Sequence, residues 1–377
     1  MKKNKFKLLV GSKAFTNSLE KDVGQSKKSI FAQFMTFEAD KSGRAFSKLL
    51  TQKAKAGLDV RLSVDYYTDL IVNDTPLPLT PNQISEVNQE KAKTKLLFKH
   101  LKEKGVKIKR TAPIGLLREF MPYRDHKKII TIDNSITYIG GINISDHNYD
   151  WHDFMVRIKG PIVKDIELDY LSTWDGKTVK LGTPKKRGDF VLNQAPGRPS
   201  VFNEVLEMIE KAQVSVVIES PYLIGSHIEK AMFNAAKRGV EVKLIIPYQN
   251  NRKIFELWIH EQRRLLKHPN ITVYGFQKKH NMTHAKLVVV DNKKATFGSS
   301  NFSELEVLGQ KEINVFTDNH GFIRQAKEFL NDDMDESSIL PPPKVTLGRL
   351  AYYILYSLLR WRTRKLAKNK KWQAVYS

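Results

Sequence analysis

Residues 126–143, HKKIITIDNSITYIGGIN, recur as residues 284–301, HAKLVVVDNKKATFGSSN, and this second copy decides how the chain is read. Aligned without a gap, His126 matches His284, Lys128 matches Lys286, Asp133 matches Asp291, Gly140 matches Gly298 and Asn143 matches Asn301. Ser299 stands where the first copy has Gly141. Five fixed positions arise by accident in a chain of this length with a probability of about one in ten thousand, and two aligned copies are far rarer. Each copy is followed by a carboxylate, Asp153 ten residues after Asn143 and Glu312 eleven after Asn301.

Each motif reads locally as a hairpin. Lys128–Ile132 and Lys286–Val290 are apolar and β-branched, so each histidine opens a strand. Tyr138-Ile139 and Thr296-Phe297 start the return strand, across turns at Asp133-Asn134 and Asp291-Asn292. Residues two apart on a strand share a face. His-x-Lys can therefore aim an imidazole and an ammonium at one phosphate while the residue between them points into the core. Asp133 and Asp291 are expected to pin the turns, and Gly140, Gly141, Gly298 and Ser299 to serve close backbone approach.

The repeat extends beyond the motifs. Residues 28–35 read as a buried strand, 45–56 as a helix stopped by Gly57, and 59–64 as a second strand. Residues 214–218, 228–237 with Gly239, and 240–246 repeat that order. Each half thus reads as a βαβ unit with a parallel strand pair. The first half has 24 more residues between its stop glycine and its motif, including the proline-rich stretch Thr75–Pro81, read as a loop beside the site. The spacing predicts a first domain over 1–175, a linker over 176–200, a second domain over 201–333 and a distinct tail over 334–377.

The 377 residues carry 63 Lys and Arg against 40 Asp and Glu, a net charge of +23, which calls for an anionic partner: nucleic acid, an acidic membrane surface or a phosphorylated substrate. Cysteine is absent, which excludes disulfides and thiol chemistry. Leu8-Leu9-Val10 is too short an apolar run for a signal peptide or a spanning helix, so a cytoplasmic location is expected. From Ser337 onward there is no acidic residue, while nine Lys and Arg lie between Lys344 and Lys371. Leu350–Leu359 is uncharged, and Leu347, Leu350, Ile354, Leu358 and Trp361 mark one helical face. This composition predicts a helix lying on an anionic bilayer, holding the protein peripherally at the cytoplasmic side of the cell membrane. The alternative is a helix docked on the protein's own core.

Splitting a phosphodiester needs a nucleophile, a proton donor for the leaving oxygen and positive charge on the non-bridging oxygens. Two histidines can supply the first two, and Lys128, Lys286, Asn143 and Asn301 the third. No metal and no cofactor is required. His147, His152, His280 and His320 fall outside the motif and are read as surface or supporting residues. Tyr123 and Arg124 precede His126 and are read as headgroup contacts or solvent-facing loop residues.

This residue set resembles the phospholipase D superfamily, whose two His-Lys-Asp motifs share one active site. The resemblance implies an α/β fold of two pseudo-twofold related domains, each a mixed, mostly parallel sheet flanked by helices, with the active site between them. It implies a monomeric catalytic unit, because both motifs lie in one chain. It also implies a covalent phosphohistidine, with His126 expected as nucleophile and His284 as acid and base. By matching positions Asp153 should orient His126 and Glu312 should orient His284. Gly11–Phe15, Phe34–Glu38, the GGxN and GSxN pair and Trp151-His-Asp153 are similar to the bacterial cardiolipin synthases, which transfer a phosphatidyl group between phosphatidylglycerols. Many of those carry two N-terminal membrane helices, which this sequence lacks. The partners implied are anionic phospholipids and a membrane, not nucleic acid. Phospholipid hydrolysis to phosphatidic acid and a phosphodiesterase or nuclease activity are the alternatives.

Overall fold

The computed structural model describes residues 3–70, 80–115, 123–185, 187–223, 226–249, 268–277, 282–303, 307, 309–340, 354, 357, 358 and 361. The chain divides into two units, Met1–Val179 and Lys180–Ser377.

The first unit holds β1 (Lys5–Val10), α1 (Gly11–Gln25), β2 (Ser29–Phe34), α2 (Lys41–Lys55), β3 (Asp59–Asp65), α3 (Pro81–Glu103), β4 (Lys107–Thr111), the two-residue β5 (Arg124–Asp125), β6 (Ile129–Ile132), β7 (Ile136–Gly140), α4 (Asp146–Tyr149), β8 (Phe154–Lys159) and α5 (Val163–Trp174). Its sheet runs β1-β8-β7-β6-β2-β3-β4. Helices cover both faces of β2, so the five residues after Ser29 are buried whichever way they point, and the strand reads as a nearly continuous apolar run. Phe15, Leu19, Phe34, Phe37, Phe46 and Leu62 are among the side chains of its core.

The second unit holds β9 (Phe190–Gln194), α6 (Ser200–Glu210), β10 (Ser215–Glu219), α7 (Ser226–Lys237), β11 (Glu241–Pro247), β12 (Ile271–Phe276), β13 (Leu287–Val290), β14 (Lys294–Gly298), β15 (Gln310–Thr317), α8 (His320–Asp335) and β16 (Ser337–Ile339). Its sheet runs β16-β12-β11-β10-β13-β14-β15, with β9 added to β15. The two units repeat one plan. In each, a parallel three-strand block (β2-β3-β4 or β10-β11-β12) joins the motif hairpin through an antiparallel pair.

Three expectations need correction. Parallel pairing is confined to those three-strand blocks, and the motif hairpin with the strand after it forms an antiparallel meander. Tight turns permit only antiparallel neighbours, whereas parallel ones need a crossover helix. Residues 176–200 are not all linker, since β9 pairs with β15 from Phe190 to Gln194 and belongs to the second sheet. The tail does not begin at 334, because β16 pairs with β12 and Leu340 is buried. Much of the extra length before the first motif is α3, whose start carries a full capping box between Thr80 and Gln83 with proline in its first turn. Most of the Thr75–Pro81 stretch and of the tail lies outside the described residues. Among the described residues no helix is long and apolar enough to cross a membrane.

Candidate active site

The hairpin turns come first, because they place everything else. Asp133 and Asn134 take φ of 53° and 49°, and Asp291 and Asn292 take 52° and 54°. Asp and Asn are the residues that best tolerate this left-handed region. The Asp133 carboxylate accepts from the backbone N–H groups of Lys27, Lys28 and Ser29 at 2.7–2.9 Å. Asp291 does the same for Gln213, Val214 and Ser215. Each motif aspartate thus ties the hairpin tip to the entry of the neighbouring strand, β2 or β10. Burial alone would raise the Asp133 carboxyl, but its three N–H donors outweigh that and hold it below the usual range.

At the other end of each hairpin lie the histidine and lysine. His126, Lys128, His284 and Lys286 are all buried. The Lys128 ammonium folds back to donate to the His126 carbonyl oxygen at 2.6 Å. Lys286 repeats this with the His284 carbonyl at 2.5 Å and also donates to His284 Nδ1 at 3.0 Å. Such a contact brings the ammonium and imidazole of one motif within reach of a single oxyanion. Tyr222 sets its ring edge-on to His284. The residue between histidine and lysine is buried in both motifs. Ala285 suits that place directly, whereas Lys127 requires partners and donates to Asp169 and Thr173 of α5, both at 2.7 Å.

The glycines bring the following carboxylates to the motif. Gly141 N–H donates to the Phe154 carbonyl at 3.2 Å, and Ser299 N–H donates to the Ile313 carbonyl at 3.1 Å. Asp153 and Glu312 each precede that acceptor by one residue, so they occupy matching positions despite the unequal spacing. A Cβ at Gly140 would collide with the Phe154 carbonyl, and one at Gly298 with the Ile313 carbonyl. Both carboxylates are buried. Asp153 accepts from Phe154 N–H at 2.7 Å, and Glu312 accepts from Ser299 Oγ at 2.5 Å. Asn143 and Asn301 are also buried. The Asn143 side chain is held by Thr36 and Asn148, and the Asn301 backbone carbonyl accepts from Ser220 Oγ at 2.8 Å.

Several supporting residues were not read from the sequence. Gln33 donates to Asp125 at 2.6 Å, and Thr283 donates to Glu219. The two pairs sit at matching repeat positions with the carboxylate exchanged between partners. The available signal was a polar residue in an otherwise apolar buried strand, at the same place in both halves. Arg124 and Tyr123 do not face solvent. Both are buried, and Arg124 pairs with Asp65 at 2.7 Å. His147 lies 3.6 Å from Glu38, His320 is exposed at the start of α8, and His280 lies outside the described residues.

Comparisons with known proteins bear on the family of the chain. A family model described as "Cardiolipin synthase, PLD-like domain" matches residues 19–174 and 205–334, covering both motifs. Cardiolipin synthase 1 of Staphylococcus epidermidis is 26% identical over 355 residues, 88% of this chain and 67% of that protein. Cardiolipin synthase A of Buchnera aphidicola is 27% identical over 372 residues, 91% of this chain and 71% of that one. Among solved structures, a phosphatidylserine synthase from Haemophilus influenzae superposes with a TM-score of 0.70 over 96% of this chain and 94% of its own, at 13% identity, which speaks to the fold alone. Two complete motifs on two repeated mixed sheets, matched twice by one family model, make the chain a member of the phospholipase D superfamily, in its cardiolipin synthase group.

Proposed function

We propose that the protein transfers a phosphatidyl group between phospholipids through a covalent phosphohistidine, making cardiolipin from two phosphatidylglycerol molecules and releasing glycerol. The observation that carries this reading is the complete, buried His–Lys pair in each half of a chain whose relatives are cardiolipin synthases. In this reading both motifs act on one phosphate, as the superfamily resemblance implies. His126 Nε2 attacks phosphorus, the bond to the glycerol oxygen breaks, and protonated His284 gives that oxygen its proton. The hydroxyl of a second phosphatidylglycerol then loses its proton to His284, its oxygen attacks phosphorus, and the phosphorus–nitrogen bond breaks. Lys128, Lys286, Asn143 and Asn301 hold the non-bridging oxygens. Asp153 and Glu312 stabilise the imidazolium forms, as expected for His126 and His284 respectively. The ammonium groups replace a metal ion.

The reaction takes place on an anionic bilayer, and the C-terminal segment holds the protein there. Ile354, Leu358 and Trp361, spaced as one helical face, are 56%, 56% and 60% exposed in a sequence region rich in Lys and Arg and free of Asp and Glu.

The test is incubation with phosphatidylglycerol vesicles in the presence of EDTA, with products identified by mass spectrometry. Cardiolipin and glycerol are expected, together with a phosphatidyl adduct on the His126 peptide after alkaline quench. His126→Asn and His284→Asn should each abolish turnover with the fold intact. Phosphatidic acid as sole product would make the protein a hydrolase. No lipid product would overturn the reading and direct the search to nucleic acid.

A further inference from the structure

The motif asparagine of the first half is not held by the backbone alone. Thr36 N–H donates to Asn143 Oδ1 at 3.3 Å. That N–H is itself fixed, because Thr36–Glu38 is laddered to Ile144 through the bonds Ile144 N to Thr36 O at 3.4 Å and Glu38 N to Ile144 O at 3.2 Å. A backbone N–H can only donate, so it dictates which side of the amide is oxygen. Asn143 Nδ2 must then face the other way, and it donates to Asn148 Oδ1 at 3.1 Å. This fixes Asn148 in turn. Its Nδ2 points to Ser145 Oγ at 2.7 Å and to His147 Nε2 at 2.5 Å. His147 Nε2 therefore accepts, the ring carries its hydrogen on Nδ1, and Nδ1 faces the buried Glu38 carboxylate at 3.6 Å. The backbone donor of Thr36 sets the polarity of the chain, and the carboxylate near its far end is compatible with it.

We propose that Asn148, backed by His147, is a positioning residue that works with the Thr36 N–H to hold the Asn143 amide with one fixed edge toward the substrate phosphate. The inference rests on the reading of Asn143 as a phosphate-binding residue. With Oδ1 and one Nδ2 hydrogen engaged, the second Nδ2 hydrogen is the group Asn143 offers an anionic oxygen. An Asn143 free to flip would present its carbonyl oxygen to the phosphate part of the time, which repels it. Asn148 lies in the short helix α4, outside the repeated motif, and it is as buried as Asn143 itself.

The experiment is a double-mutant cycle on the full chain, with initial rates on phosphatidylglycerol vesicles at a temperature where thermal melts show every variant folded. Asn143→Ala is expected to lower kcat/KM about a hundredfold, as loss of one oxyanion donor does. Asn148→Leu, of similar size but without hydrogen bonds, is expected to lower it about tenfold. Combining the two should cost no more than Asn143→Ala alone, because Asn148 acts only through Asn143. Asn148→Asp, which still accepts from Asn143, should recover most of the loss. Additive losses, or an unchanged rate in Asn148→Leu beside an impaired Asn143→Ala, would overturn the positioning role and leave the Asn143 reading standing. An unchanged rate in Asn143→Ala would overturn both.

Discussion

Ser299 donates its hydroxyl hydrogen to Glu312 at 2.5 Å, at the place where the first motif has Gly141. The two halves solve one packing problem in two ways. A Cβ at Gly141 would collide with both carboxylate oxygens of Asp153, so the shorter acid and the missing side chain belong together. In the second half the longer glutamate leaves room for a serine that binds it.

Gly141→Ser should therefore push Asp153 out of place. A displacement of about 1 Å near the reacting groups can cost on the order of a hundredfold in rate. We expect a loss of that size in kcat/KM. Adding Asp153→Glu, which copies the second half, should return part of it. Steady-state rates of the single and double variants check this, and a fully active Gly141→Ser would contradict the packing argument.

Asp133→Ala should damage the fold and not the chemistry. It removes one acceptor from three backbone N–H groups and puts alanine at φ 53°, where Asp or Asn is better tolerated. The expected loss is about 1–3 kcal/mol. The cost should appear in urea unfolding, while kcat at low temperature stays near that of the wild type. Because the folded Asp133 carboxyl lies below its unfolded value, its contribution is present above about pH 4 and fades as pH falls through the folded pKa. A large fall in kcat without loss of stability would assign Asp133 to the reaction.

Repetition explains what the sequence made legible. The histidines, lysines and glycines stand out because a second copy at identical spacing selects them, and the hairpins follow from β-branched runs broken by Asp-Asn. Gln33, Lys127 and Asn148 were missed, and Arg124 was misplaced at the surface, for the opposite reason. Their partners, Asp125, Asp169, His147 and Asp65, come from other elements or from a short irregular helix, and their chemistry differs between the halves. The capping box at Thr80 was legible but hidden by the prolines before it. The extent of the second sheet was not, because β9 and β16 are short edge strands whose place depends on tertiary pairing.

Asp40 gives the first unit an acid-side stability term. It caps α2 through the Gly43 N–H at 2.9 Å. Burial raises its carboxyl to about 6; the Gly43 and Asp146 N–H groups oppose this and the charges of Asp146 and Glu38 reinforce it. The folded pKa lies above the unfolded value of about 4, so between these values the folded state keeps a proton that the unfolded chain releases. The contribution is whole below about pH 4 and is lost as pH rises through about 6. Allowing for partial exposure, it is about 1 kcal/mol. Asp40→Asn keeps a good cap without the titration. Urea midpoints across pH 4 to 7 should show a shallower slope from this variant, and parallel curves would rule the term out.

The proposed attachment of the C-terminal segment to a bilayer would have an apolar and an electrostatic part, and the two can be separated. Fully burying a large apolar side chain is worth about 1.5–3 kcal/mol, so Ile354, Leu358 and Trp361, each already partly covered, add about 3 kcal/mol together. Each Lys or Arg close to an anionic surface adds about 1 kcal/mol, and the nine between Lys344 and Lys371 exceed the apolar term at low salt. Salt screens only the second part. Replacing all three apolar residues by serine should weaken co-sedimentation with phosphatidylglycerol vesicles about a hundredfold in the same proportion at every salt concentration. Raising salt should weaken the intact protein and the variant alike. Neutral phosphatidylcholine vesicles should bind both poorly. If the triple variant binds as the intact protein does, this face is not what meets the bilayer, and the helix packs against protein instead.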